Sequence, residues 1–143
     1  MRTSVFLAIL AVCACQTEGP ESVQDRGMVD GSLRYEATSL AGRPLIRGWL
    51  NIDILPDSSI VGTWTADWAP GADRTVEVGD QIGSGTLQGR QTAEGGYIDL
   101  NPGYADNNVI LHPTPADRGF TGTWYWSTIA GPRTLGRFTA LPD

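Results

Sequence analysis

Ile60-Val61-Gly62-Thr63-Trp64-Thr65-Ala66-Asp67-Trp68 is the stretch on which the fold turns. Read at a period of two, Ile60, Gly62, Trp64, Ala66 and Trp68 fall on one face and Val61, Thr63, Thr65 and Asp67 on the other, the signature of a strand with one dry and one wet side. Phe120-Thr121-Gly122-Thr123-Trp124-Tyr125-Trp126-Ser127 repeats the design, with Phe120, Gly122, Trp124 and Trp126 inward. Both strands carry the same triplet, Gly62-Thr63-Trp64 and Gly122-Thr123-Trp124. Thr86-Leu87 and Thr134-Leu135 also recur, each with Gly and Arg close behind, which suggests a four-plus-four internal duplication.

Working outward, Ile46, Gly48, Leu50, Ile52 and Ile54 form the inner face of an earlier strand, and Pro56-Asp57-Ser58-Ser59 supplies the turn into Ile60. Leu33 to Thr38 makes the first strand and Ile82 to Thr92 a fourth. Glu94-Gly95-Gly96 turns the chain into Tyr97-Ile98-Asp99-Leu100. Asn108 to His112 makes a further strand, ended by Pro113-Thr114-Pro115, and Leu135 to Ala140 the last. The reading gives about eight short strands joined by tight turns, and neighbours so connected pair antiparallel. No long segment has helical spacing, and the 18 glycines and 9 prolines would break one. An open sheet with one apolar face must be covered. Inward glycines at 48, 62, 122 and 136 favour closure into a small antiparallel meander barrel over residues 31–143, a β-sandwich being the alternative.

The front of the chain reads differently. Met1 to Cys15 has one charge at Arg2, an apolar run from Val5 to Val12, and then small residues. That run is too short to span a bilayer and fits a secretion signal. Val12-Cys13-Ala14-Cys15 resembles the bacterial lipobox, which implies cleavage after residue 14 and lipidation of Cys15. The resemblance also implies a membrane-anchored protein of the cell envelope, with Gln16 favouring the outer membrane. Residues 15–30 are polar and acidic and read as a tether. Since Cys13 and Cys15 are the only cysteines, the domain beyond the tether has no thiol for a disulfide, a metal or nucleophilic catalysis.

The formal net charge is -6, with 16 acidic residues against 10 basic ones, all arginine. No basic patch suited to nucleic acid is present in the sequence. His112, the single histidine, sits at a strand end with neither Cys nor a second His to complete a metal site. No Gly-x-Ser-x-Gly elbow accompanies it, so hydrolase chemistry has no nucleophile, and no cofactor is implied. Asp99, Asn101, Asp106, Asn107 and Asn108 form the densest oxygen cluster, which a Ca²⁺ could use, although Asn and Asp are also ordinary turn residues. Asp53, Asp67 and Asp99 alternate with apolar residues and so face solvent.

Over residues 31–143 the chain resembles the calycin architecture of lipocalin-like and avidin-like barrels, through Gly62-Thr63-Trp64 and Arg137, a Gly-x-Trp with an arginine from the last strand. That resemblance implies an arginine lying across the tryptophan and an interior that can hold a ligand. The inward Trp64, Trp68, Trp124 and Trp126 either form core or line a cavity for a small apolar ligand. Trp49 and Tyr125 fall on the outer face, where they mark a patch for a partner, a glycan or a membrane surface. The expected function is therefore a lipid-anchored, non-enzymatic binding module, the alternative being a filled barrel that works through its outer face or rim.

Overall fold

The computed structural model describes residues 28–143; Cys15, the stretch that resembles a lipobox and most of the stretch read as a tether lie outside them. Eight strands follow one another: β1 (Gly31–Ser39), β2 (Pro44–Ile54), β3 (Ser59–Trp68), β4 (Gly83–Thr92), β5 (Gly95–Asp99), β6 (Asn108–Pro115), β7 (Phe120–Thr128) and β8 (Gly131–Leu141). Each pairs antiparallel with the next, and β8 returns to β1 from Arg34↔Leu141 to Ser39↔Gly136, so the sheet closes into a barrel. Closure, not a two-sheet sandwich, covers the apolar face.

The alternation read from the sequence sets the interior. Leu33, Tyr35, Leu50, Ile52, Leu87, Ile98, Leu111, Phe120, Trp124 and Phe138 are all buried. Phe138 packs at the centre, 6.0 Å from the Tyr35 ring and edge-on to Phe120 at 6.1 Å. Met28, inside the stretch read as a tether, already belongs to this core at 7% exposure. Its side chain is apolar and the barrel end offers a place for it, which polarity averaged over the segment does not reveal.

Two bulges break the strict alternation. Between β1 and β2 the register passes from Ala37↔Ile46 to Thr38↔Pro44, which leaves Leu45 unpaired and buries Leu45 and Ile46 together. Between β7 and β8 it passes from Trp124↔Gly136 to Tyr125↔Thr134, so β8 begins at Gly131, ahead of the sequence expectation of Leu135.

β6 also runs on through Pro113 and Pro115, where the sequence reading ends it. Leu100 N–H donates to the Val109 carbonyl and Ile98 pairs with Leu111, so the odd-numbered residues of β6 direct their backbone groups toward β5. The prolines therefore interrupt only the β5 side, and the ladder to β7 continues through Pro115↔Phe120.

The connections divide unequally between the two ends. One end carries the short turns at 55–58, 93–94 and 116–119 together with both chain ends of the barrel. The other carries 40–43, the long 69–82 loop, 100–107 and the 129–130 turn.

Candidate functional site

The two tryptophans of the repeated triplet occupy equivalent places. Trp64 on β3 faces Gly85 on β4, and Trp124 on β7 faces Gly136 on β8. A Cβ at Gly85 would lie 2.9 Å from the Trp64 Nε1, and one at Gly136 would lie 2.7 Å from the Trp124 Nε1. In each case the missing side chain is the space the indole fills. Each ring then reaches across that strand to the far end of the next. Trp64 Nε1 donates to the Leu100 carbonyl just beyond β5, and Trp124 Nε1 donates to the Thr38 carbonyl on β1, 3.0 Å away. Gly62 and Gly122 match as well, each allowing close approach of the preceding strand at the carbonyls of Asn51 and His112. The recurring words thus build the same contact twice.

Trp64 is 3% exposed and Trp124 0%. Both indole N–H groups are already bonded to backbone carbonyls, so neither is free to meet a ligand. Trp68 and Trp126 are half-buried at the long-loop end, packed against the core. Trp126 Nε1 donates to Asn107 Oδ1 on the 100–107 loop. The arginine expected across Trp64 is not there: Arg137 is exposed, because the alternation of β8 turns Gly136 and Phe138 inward and Arg137 out.

Sequence reasoning missed the part played by the 69–82 loop. It leaves β3 with Ala69 N–H bonded to the Leu45 carbonyl, and it turns at Asp73, whose carboxylate accepts from the Thr75 N–H and hydroxyl. Those bonds hold the Asp73 carboxyl below the usual range. Val78 then enters the core, and Gln81 is 0% exposed. Tyr35 Oη donates to Gln81 Oε1 at 2.8 Å, while Gln81 Nε2 donates to the Val78 carbonyl at 2.7 Å. A buried amide is tolerated when both its donor and its acceptor are bonded in this way. Burial of the Tyr35 phenol raises its pKa far above the ordinary value. Val76 and Val78 are the sequence signal that this loop reaches the core, but nothing in the sequence distinguishes Gln81 from a solvated Gln.

The oxygen cluster proves to be the tie between this loop and the next. Asn101 Nδ2 donates to the Asp80 carbonyl at 2.6 Å, and Asn107 Nδ2 donates to Asp80 Oδ2. Asp99 accepts from the Asn101 N–H and from Asn108 Nδ2. Amide N–H groups thus engage both Asp99 carboxylate oxygens and Asp80 Oδ2, and among the described residues no group of three or more His, Cys, Asp or Glu is placed to hold a metal. Each connection at this end also exposes one large apolar side chain, namely Leu40, Ile82, Tyr104 and Ile129.

The outer wall is not uniform. Over β1 and β2, Trp49 is 37% exposed in a groove shared with Arg34, Glu36, Arg47 and Gly48. Over β4 to β7, a groove of about 490 Å³ is lined by the neighbours Tyr97 and His112 together with Thr92, Glu94, Gly96, Pro113, Thr114 and Thr123. His112 stacks on Tyr125 with centroids 5.2 Å apart and planes 23° apart. Partial burial, and secondarily the nearby Asp99 carboxylate, push the Tyr125 phenol up.

Compared with protein-family models, curated proteins and solved structures, the chain matches none.

Proposed function

We propose that this chain is a lipid-anchored protein of the cell envelope, held at the membrane through Cys15, in which a filled barrel is a rigid scaffold and the outer wall and loop rim are the working surfaces. The anchor rests on the lipobox resemblance at Val12-Cys13-Ala14-Cys15. Choice of the filled barrel over the hollow one rests on a single observation: Trp64 and Trp124, the centre of any interior cavity, are enclosed and have their N–H groups satisfied by backbone carbonyls. The half-buried Trp68 and Trp126 leave a second reading, a small apolar ligand held at the mouth of the barrel. No catalytic role is proposed; among the described residues no group of three or more His, Cys, Asp or Glu is placed to hold a metal.

Native mass spectrometry of the full chain from its own host separates the readings. The filled-scaffold reading expects an acyl mass that survives denaturation and is abolished by Cys15→Ser, with no further mass lost on unfolding. A non-covalent apolar molecule released on denaturation would establish the ligand-carrier reading instead. Trp124→Ala adds an independent check. Removal of a core Trp costs about 3–5 kcal/mol, so a large fall in the denaturation midpoint is expected.

A further inference from the structure

We propose that the outer-wall groove lined by Tyr97 and His112 is a saccharide-binding site. The inference rests on the reading above in taking the wall, not the interior, as the working surface. Its size lies within the ~300–1,000 Å³ of small-molecule sites.

The chemistry of the groove is amphipathic in the way a sugar ring is amphipathic. Tyr97 is 46% exposed, and a planar ring presented to water on a rigid strand offers a face for the C–H side of a pyranose. Beside it on β6 the His112 ring is held in place by its stack on Tyr125. Around this pair the groove is lined by short polar groups able to meet hydroxyls: the threonines at 92, 114 and 123, and the Glu94 carboxylate. These side chains are carried by the sheet or its tight turn, so little conformational freedom is lost when a ligand binds.

The backbone adds an acceptor. Continuing the β5–β6 ladder from Leu100/Val109 through Ile98/Leu111 in steps of two brings Gly96 opposite Pro113. Proline has no N–H to donate to the Gly96 carbonyl, and both residues line the groove. An interrupted ladder in the wall of a closed barrel leaves this carbonyl open to a ligand hydroxyl. A single carboxylate and no arginine or lysine in the lining favour a neutral sugar or amino sugar over an acidic one.

The test is a titration of the ¹⁵N-labelled full chain in detergent micelles with chitotriose and, separately, maltotriose. Saturable amide shifts at Tyr97, His112 and Thr123 with either sugar are expected. Tyr97→Ala should weaken binding about tenfold or more, by loss of the central aromatic contact, and Tyr97→Phe should retain most of it because the ring remains. Absence of shifts with both sugars, or equal affinity in Tyr97→Ala, overturns the proposal. The indole N–H resonances of Trp64 and Trp124 in the same samples, after addition of 1-anilinonaphthalene-8-sulfonate, report on the scaffold reading separately. Displaced indole signals would overturn that reading whatever the sugars do, whereas still indoles with no sugar response would overturn the groove alone.

Discussion

Gly85 and Gly136 look interchangeable in the sequence, each opposite the tryptophan of a Gly-Thr-Trp triplet, yet they do not have equal tolerance. A methyl at Gly85 has the Trp64 ring as its nearest contact, at 2.9 Å, whereas one at Gly136 falls 1.7 Å from the Thr38 carbonyl. A ring can shift by a few tenths of an ångström; a paired strand cannot. Gly136→Ala should therefore cost the ~1–3 kcal/mol of an overpacked core, while Gly85→Ala costs less, because the Trp64 ring can give way; the restriction of the unfolded chain favours both variants alike. Urea denaturation of the two variants side by side checks the order. Tyr35 supports a second prediction. Tyr35→Phe keeps the ring but leaves Gln81 Oε1 buried without its donor, at about 1–3 kcal/mol. The sign with pH follows from the raised phenol pKa. Below the ordinary tyrosine value of about 10 both folded and unfolded states are neutral and the stabilisation is intact. Above it only the unfolded chain ionises, and stability falls by up to ~1.4 kcal/mol per pH unit. Stability measured from pH 9 to 12 should show this limb in the native chain, and Tyr35→Phe should flatten most of it.

Among the elements, β6 is the one whose local chemistry and final structure disagree most. Its two prolines read as a stop, and they are a stop for one neighbour only, because odd residues face β5 and even residues face β7. Pro113→Val restores an N–H opposite the Gly96 carbonyl. The expected outcome is a new backbone amide at position 113 that is protected from hydrogen exchange and, with the acceptor consumed, weaker chitotriose binding in the titration above. The 69–82 loop shows the other kind of gap. Outside the two bulges strand alternation was legible because burial on one face imposes a period of two. Gln81, Asp80 and Asn101 act through tertiary hydrogen bonds, and no periodicity records those. The inward tryptophans could be read from the chain as inward. Their satisfaction by the Leu100 and Thr38 carbonyls could not, since it depends on how far the barrel's closure brings β5 and β1. The groove was legible only in part, through the outward Tyr125. Tyr97 and His112 come together because β5 and β6 are neighbours across the 100–107 loop, a relation that a list of strands contains but residue spacing does not display.

For the molecule as a whole, closure of β8 on β1 places residue 31 and residue 141 at the same end, with Arg34 opposite Leu141. Joining Asp143 to Met28 by a short glycine linker and opening the chain between Ile129 and Ala130, where Ile129 is 91% exposed, should leave every strand pair intact. Such a permutant is expected to give the native pattern of indole N–H resonances and one cooperative unfolding transition; loss of either would mean that the 129–130 turn is needed to set the β7–β8 register.

The same adjacency has a mechanical consequence. The hydrogen bonds joining β1 to β8 run across the strands, and both strands end on one side of the barrel. A force drawing Met28 and Asp143 apart would therefore load the rung nearest the ends first and open the seam like a zipper, one rung at a time. A force between Met28 and the opposite end would load many rungs together in shear, so the direction of the pull decides how firmly the barrel resists it.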